Sequence, residues 1–218
     1  MSNNISIEDL NCTAVTHQSY NVKFHNEEIN TVLTHTASIV EDWISKIYQD
    51  FGAVLSNLIV GLDVEWRPNF HKNQENKVSV LQLCVGSRCV IIQLMYIDKI
   101  PQALIDFLGN PSFTFVGVGI SEDVEKLLYD YELGIGSTID LRVLAAQKMN
   151  KSELKKMGLR DLTEAVLGLN LVKPKKVTMS RWDAEYLTYD QVLYACLDVV
   201  VAFKMARHLM AMKAVSKK

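Results

Sequence analysis

The chain has 218 residues, of which 49% are hydrophobic and 22% charged, a balance typical of one compact domain with a sizeable core. A net charge of only −2 excludes a protein-wide positive field, so any polyanion has to be bound locally. No segment approaches the roughly 20 apolar residues that span a bilayer, and the first residues lack a signal-peptide pattern. We therefore expect an intracellular protein in the cytoplasm, with the nucleus as the alternative.

The four cysteines point to the same environment. Cys12, Cys84, Cys89 and Cys196 form no CxxC motif and stand among apolar neighbours. This spacing favours reduced core thiols over a zinc site or a disulfide framework.

The first half of the chain predicts a hairpin, a helix and three further strands. Residues 1–15 are expected to be loose. The later segments are a hairpin over 20–24 and 29–34, a helix over 38–49, an apolar strand over 57–66, a polar loop over 67–77, and antiparallel strands over 78–85 and 88–93.

The second half predicts alternating helices and strands. The helices lie over 102–108, 120–131, 141–148, 159–167 and 188–212, and the strands over 113–118 and 137–140. Thr188 and Gln191 form the sequence signature of a capping box at the start of the last helix. This order predicts an α/β fold, a mixed sheet with helices on both faces, in which residues 16–218 form one domain.

Two carboxylates stand at the end of the strand predicted over 57–66. Asp63 and Glu65 are two residues apart, so in an extended chain they share one face. Burying ionised carboxylates without a partner is costly, whereas Mg²⁺ or Mn²⁺ takes oxygen ligands and offsets this cost. In open α/β sheets ligands bind beyond the carboxyl ends of strands, which favours a site here. An exposed edge strand stays open as the alternative, because DxE is a common tripeptide.

A further carboxylate stands in the apolar part of the last helix. Asp198 is the single charge in VLYACLDVVVA, and Tyr194 lies one turn earlier on the same face. A tyrosine that simply hydrogen-bonds Asp198 in the core is the alternative.

Asp123 and Glu122 stand in the first turn of a helix, where acidic residues complement the helix dipole. Helix capping is the default role of Asp140.

Taken together, these residues resemble the motifs of the DnaQ-like, or DEDD, 3′-5′ exonucleases, in their Werner-syndrome-like branch. The motifs appear in order as VGLDVEW with Asp63 and Glu65, VGVGISEDVEKL with Asp123, and YACLD with Tyr194 and Asp198. Tyrosine at position 194 matches the tyrosine form of the family, DEDDy. The resemblance implies a ribonuclease H-like fold with a mixed five-stranded sheet flanked by helices, here preceded by an N-terminal hairpin.

The resemblance also implies a two-metal site and a reaction. Asp63, Glu65 and Asp198 would hold one Mg²⁺ or Mn²⁺, with Asp63 also contacting a second ion and Asp123 helping through water. Tyr194 would orient the attacking water, because a phenol with a pKa near 10 is a poor base at neutral pH. The expected product is a nucleoside 5′-monophosphate released from a 3′ end.

The substrate and partners are implied by a narrower resemblance. Within the tyrosine form, the chain looks most like the plant RISC-interacting clearing exoribonucleases, which trim single-stranded RNA as homohexameric rings associated with Argonaute proteins. RNA is therefore the favoured substrate, with Argonaute proteins as partners and a homohexamer as the assembly. The alternatives are a Werner-like DNA exonuclease and a catalytically silent, nucleic-acid-binding exonuclease fold.

Candidate nucleic-acid contacts are basic residues near the predicted site and two tryptophans suited to stacking on bases. The residues are Lys155, Lys156, Arg160, Lys173, Lys175, Lys176, Arg181, Trp66 and Trp182. A solvated surface for the basic residues, and core packing for Trp66, are the ordinary alternatives.

Overall fold

The framework of the protein is one eight-stranded sheet, seen in a computed structural model that describes residues 5–11, 14–69, 75–171 and 174–212. The strands are β1 (Ile5–Asp9), β2 (His17–Phe24), β3 (Glu27–Thr34), β4 (Ile59–Trp66), β5 (Val78–Val85), β6 (Arg88–Ile92), β7 (Thr114–Gly117) and β8 (Ser137–Asp140). Their order in the sheet is β1-β2-β3-β6-β5-β4-β7-β8. The last five strands of this order form the predicted mixed sheet, in which β4 is antiparallel to β5 and parallel to β7.

The predicted N-terminal hairpin is confirmed and extends the same sheet. β2 and β3 pair antiparallel, and β3 runs parallel to β6. β1 adds to the outer edge of the hairpin, antiparallel to β2. The expectation of a loose segment over residues 1–15 is therefore wrong for residues 5–9. Ile5 and Ile7 pack against the core, and this alternation is too short to stand out in the sequence. Residues 1–4 and 12–13 lie outside the described residues.

The helices cover both faces of the sheet, as the sequence predicts. They are α1 (Ala37–Phe51), α2 (Gln102–Gly109), α3 (Ile120–Tyr131), α4 (Leu141–Met149), α5 (Leu159–Leu167), α6 (Lys175–Thr178) and α7 (Tyr189–Ala211), with 3₁₀ turns at Gly52–Asn57 and Ser152–Lys156. Helices α1, α2 and α3 pack on one face and α7 on the other, where α4 and α5 share a core cluster with α7 and β7. In the part of the chain that the structure describes, no helix is long and apolar enough to cross a membrane.

Helix α7 is buried along most of its length. It begins with the predicted capping box, in which the backbone N–H of Gln191 donates to the Thr188 hydroxyl and the backbone N–H of Thr188 donates to the Gln191 side chain. Such reciprocal bonds satisfy amides that the first turn leaves without helical partners. The start of the helix that carries Asp198 is therefore well defined.

The thiols beneath α7 behave as the sequence predicts. Cys84, Cys89 and Cys196 are free and buried. Burial raises the pKa of the Cys84 and Cys89 thiols well above its usual value, which makes both thiols unreactive at neutral pH. Cys12 lies outside the described residues.

Strand β4 lies at the centre of the sheet, between β5 and β7. The alternative of an exposed edge strand is therefore wrong. Val60, Leu62 and Val64 pack into the core on the α1 side. Because successive side chains of a strand alternate between faces, Asp63 and Glu65 lie on the opposite face, toward α7.

Gly61 allows α7 to lie directly on β4. A Cβ atom at this position would lie 2.2 Å from the backbone carbonyl oxygen of Val199, far inside van der Waals contact. The absence of a side chain therefore brings the helix backbone onto the strand. Asp198 precedes Val199, so this contact also determines how close Asp198 lies to the β4 carboxylates.

We predict that Gly61→Ala lowers the free energy of unfolding by about 1–3 kcal/mol or more, because the new methyl group meets backbone and not a flexible side chain. Gly109→Ala is the matched control, since no atom lies within 4 Å of a Cβ built there. The control should leave stability unchanged or raise it by up to about 1 kcal/mol. Urea denaturation measures both changes, and equal stabilities of the two variants would contradict the prediction.

Candidate active site

Three carboxylates converge where β4 passes beneath α7. Asp63 and Glu65 of β4 and Asp198 of α7 each place one oxygen within 4.8 Å of the others. Asp198 is buried and the two β4 residues are partly buried. The structure thus brings together the three residues that the resemblance assigns to one ion.

The spacing of these oxygens fits a small divalent cation. Oxygen ligands lie about 2.0–2.1 Å from Mg²⁺, so two ligands on opposite sides of the ion are about 4.2 Å apart. The carboxylate oxygens, all within 4.8 Å of one another, lie close to that spacing. An all-carboxylate set also selects for Mg²⁺ or Mn²⁺ over metals that prefer sulfur or imidazole. Asp63, Glu65 and Asp198 therefore form a candidate metal site.

A cavity of about 470 Å³ borders the cluster at the carboxyl ends of the central strands. This volume lies within the range of small-molecule sites, roughly 300–1,000 Å³. Its lining includes Asp63, Asp198, Gly117 at the end of β7, Glu122 and Asp123 of α3, Arg142 of α4, residues 156–160 and Thr178. The site thus lies at the edge of the sheet where the sequence predicts a ligand.

Asp123 faces this cavity from the first turn of α3 and is only 8% exposed. Burial raises the pKa of its carboxyl to about 7, the charges of Glu122, Glu65 and Asp140 add to the rise, and Arg142 opposes it. The charge coupling to Glu65 places Asp123 near the metal cluster. A role limited to the helix dipole would not require such burial.

Tyr194 lies on α7 one turn before Asp198. Its side chain is partly buried and packs against the core between α7 and the sheet. The predicted common face of Tyr194 and Asp198 follows from their spacing in a continuous helix. Its role in orienting water stays a prediction.

Asp140 caps α4, as expected, and also holds an arginine. Its carboxylate accepts a hydrogen bond from the backbone N–H of Arg142 at 2.9 Å. It accepts further bonds from Arg142 Nε at 3.1 Å and Nη2 at 2.6 Å. Burial acts to raise the pKa of Asp140, but these hydrogen bonds outweigh it and hold the pKa below its usual value. Arg142 was not predicted as a site residue from the sequence, although it stands two residues after the end of β8.

The predicted basic contacts divide between the cavity and the outer surface. Lys156 and Arg160 line the cavity and are exposed. Arg160 donates to Asp161 in a surface ion pair. Lys155 is exposed beside them. These positions suit phosphate contacts at the entrance of the site, which stay a prediction.

Lys175, Lys176 and Arg181 lie beyond the cavity lining. Lys175 and Lys176 are exposed on α6. Lys176 pairs with Asp190, and Arg181 pairs with Asp183. Lys173 lies outside the described residues. Lys176 and Asp190 are both exposed, and exposed pairs contribute little stability, so Lys176 can exchange its partner for a phosphate.

The two tryptophans differ in their surroundings. Trp66 is partly buried against the core on the α1 side, and Lys126 Nζ lies 5.1 Å from the centre of its ring. Trp182 is 0% exposed and packs in the core beneath α7. The prediction that Trp182 stacks on a base is therefore wrong, because no base can reach its ring.

The fold and the site together define a class of protein: an α/β protein with a candidate carboxylate metal centre at the edge of a mixed sheet. The chain belongs to the 3′-5′ exonuclease family, whose sequence model matches residues 31–213. This match confirms the 3′-5′ exonuclease family and covers all three motifs.

Individual relatives agree with this assignment. The chain is 35% identical over 151 residues to a 3′-5′ exonuclease of Arabidopsis thaliana, covering 69% of the chain and 52% of the relative. It is 37% identical over 141 residues to the bifunctional 3′-5′ exonuclease/ATP-dependent helicase WRN of Mus musculus, covering 64% of the chain and 10% of the relative. The chain thus spans about half of the first relative and a tenth of the second.

A solved structure confirms the fold. Escherichia coli RNase D, an exoribonuclease involved in structured RNA processing, matches with a TM-score of 0.65 and 24% identity, over 83% of this chain and 44% of that chain. The ribonuclease H-like α/β architecture predicted from the sequence is therefore confirmed.

We predict that Mn²⁺ or Mg²⁺ raises the melting temperature of the protein. A ligand present at 100 times its Kd stabilises the folded state by about 2.7 kcal/mol. The double substitution Asp63→Asn and Asp198→Asn should abolish the rise, because it removes two of the three charged ligands. Asp106→Asn, an exposed carboxylate on α2, is the control and should keep it. Equal shifts in all three proteins, measured by differential scanning fluorimetry, would count against the site.

The raised pKa of Asp123 predicts a pH dependence of stability in chelator. An aspartate has a pKa of about 3.9 in an unfolded chain, against about 7 here. Between these values the folded state binds one proton more, so the free energy of unfolding falls as the pH rises from about 4 to about 7. Asp123→Asn should gain stability relative to wild type across this window and level off above it. Urea denaturation of both proteins at each pH measures the difference. If the difference in free energy of unfolding between Asp123→Asn and wild type is the same at every pH, the expectation is contradicted.

Proposed function

We propose that the chain hydrolyses nucleic acid from 3′ ends in a metal-dependent reaction, releases nucleoside 5′-monophosphates and favours single-stranded RNA. The observation that carries the proposal is the approach of Asp63, Glu65 and Asp198 to within 4.8 Å beside an open cavity. Membership of the 3′-5′ exonuclease family supplies the reaction class. A catalytically silent binding module is disfavoured, because the carboxylates and Tyr194 all keep the family's residue types.

The proposed roles of the residues are those that the family resemblance implies, and the proximity of three of the carboxylates supports them. Asp63, Glu65 and Asp198 would hold a divalent cation, with Asp63 shared with a second and Asp123 nearby. When bound, such ions neutralise charge at the phosphate and lower the pKa of water. An unperturbed phenol is a poor base at neutral pH. The Tyr194 hydroxyl would therefore orient the attacking water by hydrogen bonding.

The preference for RNA rests on the narrower resemblance to the plant exoribonucleases. RNA and DNA differ at the 2′-hydroxyl, which a protein can sense as donor and acceptor. A Werner-like DNA exonuclease is the competing proposal, and relatedness to the exonuclease of WRN supports it. A direct comparison of substrates decides between them.

The assembly proposed here is a homohexamer that associates with Argonaute proteins in the cytoplasm. Exposed aromatic side chains support an interface, since Tyr186 is 77% and Tyr189 56% exposed and tyrosine is enriched at protein interfaces. The buried free thiols of Cys84, Cys89 and Cys196 suit a reducing compartment.

A degradation assay tests the proposal. Purified protein is given 5′-labelled single-stranded RNA, single-stranded DNA or a recessed duplex, with Mg²⁺, Mn²⁺ or chelator. We expect a descending ladder that is fastest on RNA and lost in chelator. Asp63→Ala should reduce the rate by more than the roughly 10- to 100-fold loss typical of an outer-shell partner of a metal.

Two results would contradict the proposal: no degradation by wild type with either metal, or full degradation by Asp63→Ala. If DNA is cleaved faster than RNA, DNA replaces RNA as the proposed substrate. Asp106→Asn controls for the loss of a carboxylate outside the site and should match wild type.

A further inference from the structure

Arg142 brings a fixed positive charge into a cavity that is otherwise rich in carboxylates. It lines the same cavity as Asp63, Asp123 and Asp198. Its guanidinium lies against the turn before α3, because Nη2 would be 3.4 Å from a Cβ built at Gly119. It is also close enough to influence the pKa of Asp123. The charge therefore lies at the site and not on a remote surface.

Asp140 occupies one edge of this guanidinium and leaves the other available. Nε and Nη2 donate to the Asp140 carboxylate. Within the described residues, Nη1 makes no hydrogen bond to the protein. The other edge of the guanidinium group therefore presents one N–H of Nη1 and one N–H of Nη2. Two such donors side by side match the spacing of two oxygens of a phosphate.

The other basic residues of the cavity are held less firmly. The Arg160 side chain is 66% exposed and pairs with Asp161, itself 52% exposed. The Arg142 side chain is 34% exposed, and Asp140 is 16% exposed. Charge-assisted bonds to a partly buried partner hold Arg142 in one orientation before any ligand arrives, which lowers the entropic cost of binding.

We infer that Arg142 binds the scissile phosphate, the group that becomes the 5′-phosphate of the released nucleotide, and that Asp140 orients it for this contact. The inference rests on the proposed exonuclease function and adds a phosphate-binding residue to it. An acidic cavity repels a polyanion, and a fixed arginine beside the metal ligands offsets part of that repulsion. In the purely structural alternative, Arg142 only links α4 to the turn at Gly119 and does not contact the substrate.

Competition binding separates these roles. A 5′-fluorescein single-stranded oligonucleotide is bound in Ca²⁺, used here to slow hydrolysis, and displaced with adenosine 5′-monophosphate or adenosine. We expect Arg142→Gln to weaken the monophosphate about tenfold to a hundredfold, as loss of hydrogen bonds to a charged group predicts. Competition by adenosine should not change. The value of kcat/KM with Mn²⁺ should fall by a similar factor, and the Mn²⁺-induced rise in melting temperature should remain.

Arg88→Gln is the matched control, because Arg88 is also 34% exposed and also pairs with an aspartate, Asp50. It lies outside the cavity lining and should bind and cleave as wild type. Arg142→Lys keeps the positive charge but lacks the two parallel N–H donors. Its affinity for the monophosphate should therefore lie between those of Arg142→Gln and wild type. Asp140→Asn keeps Arg142 but weakens the bonds that orient its side chain. The loss of monophosphate affinity in this variant should therefore be smaller than in Arg142→Gln.

Unchanged monophosphate competition in Arg142→Gln and Arg142→Lys would overturn the inference. A loss that accompanies a lost Mn²⁺ shift, or that affects adenosine equally, would assign Arg142 to structure and also overturn it. These outcomes are distinct from failure of the proposed function, in which wild type itself degrades no substrate.

Discussion

The close approach of α7 to β4 is the constraint on which the rest of the site depends. It is set by Gly61, where a side chain would collide with the Val199 carbonyl. The strand carries Asp63 and Glu65, and the helix carries Asp198. The hydrophobic core beneath α7 therefore holds acidic oxygens together that repel one another when ionised. Packing of the surrounding apolar residues supplies the free energy that keeps this arrangement folded.

Charged side chains of both signs lie in and around the cavity. Three carboxylates create a candidate cation site, and Asp123 beside them has a raised pKa because burial and neighbouring charge both disfavour ionisation. Arg142 lines the cavity and pairs with Asp140, whose carboxylate is stabilised by hydrogen bonds. A chain with a net charge of −2 can bind a polyanion only through such local arrangements.

Much of this organisation could be predicted from sequence. The two-residue spacing of Asp63 and Glu65 requires a common face in any strand, and the nearly continuous apolar surface of VLYACLDVVVA requires a buried helix. Other features could not be predicted in this way. The five residues of β1 are too few to show a convincing alternation, and Trp182 appears in a polar stretch although its ring is buried. Arg142 carries no local pattern that separates it from an ordinary helix residue.

The sequence by itself determined the order of the strands and helices along the chain apart from β1 and α6, the capping box of α7, the faces on which the carboxylates lie and the family of the protein. These properties depend on local periodicity and on residue identity. Only the tertiary structure decided the 4.8 Å convergence of the carboxylates, the raised pKa of Asp123 and the place of Arg142 in the cavity. Distances and burial between remote segments arise from packing, and a single glycine at the crossing of α7 and β4 controls that packing without leaving a periodic signal.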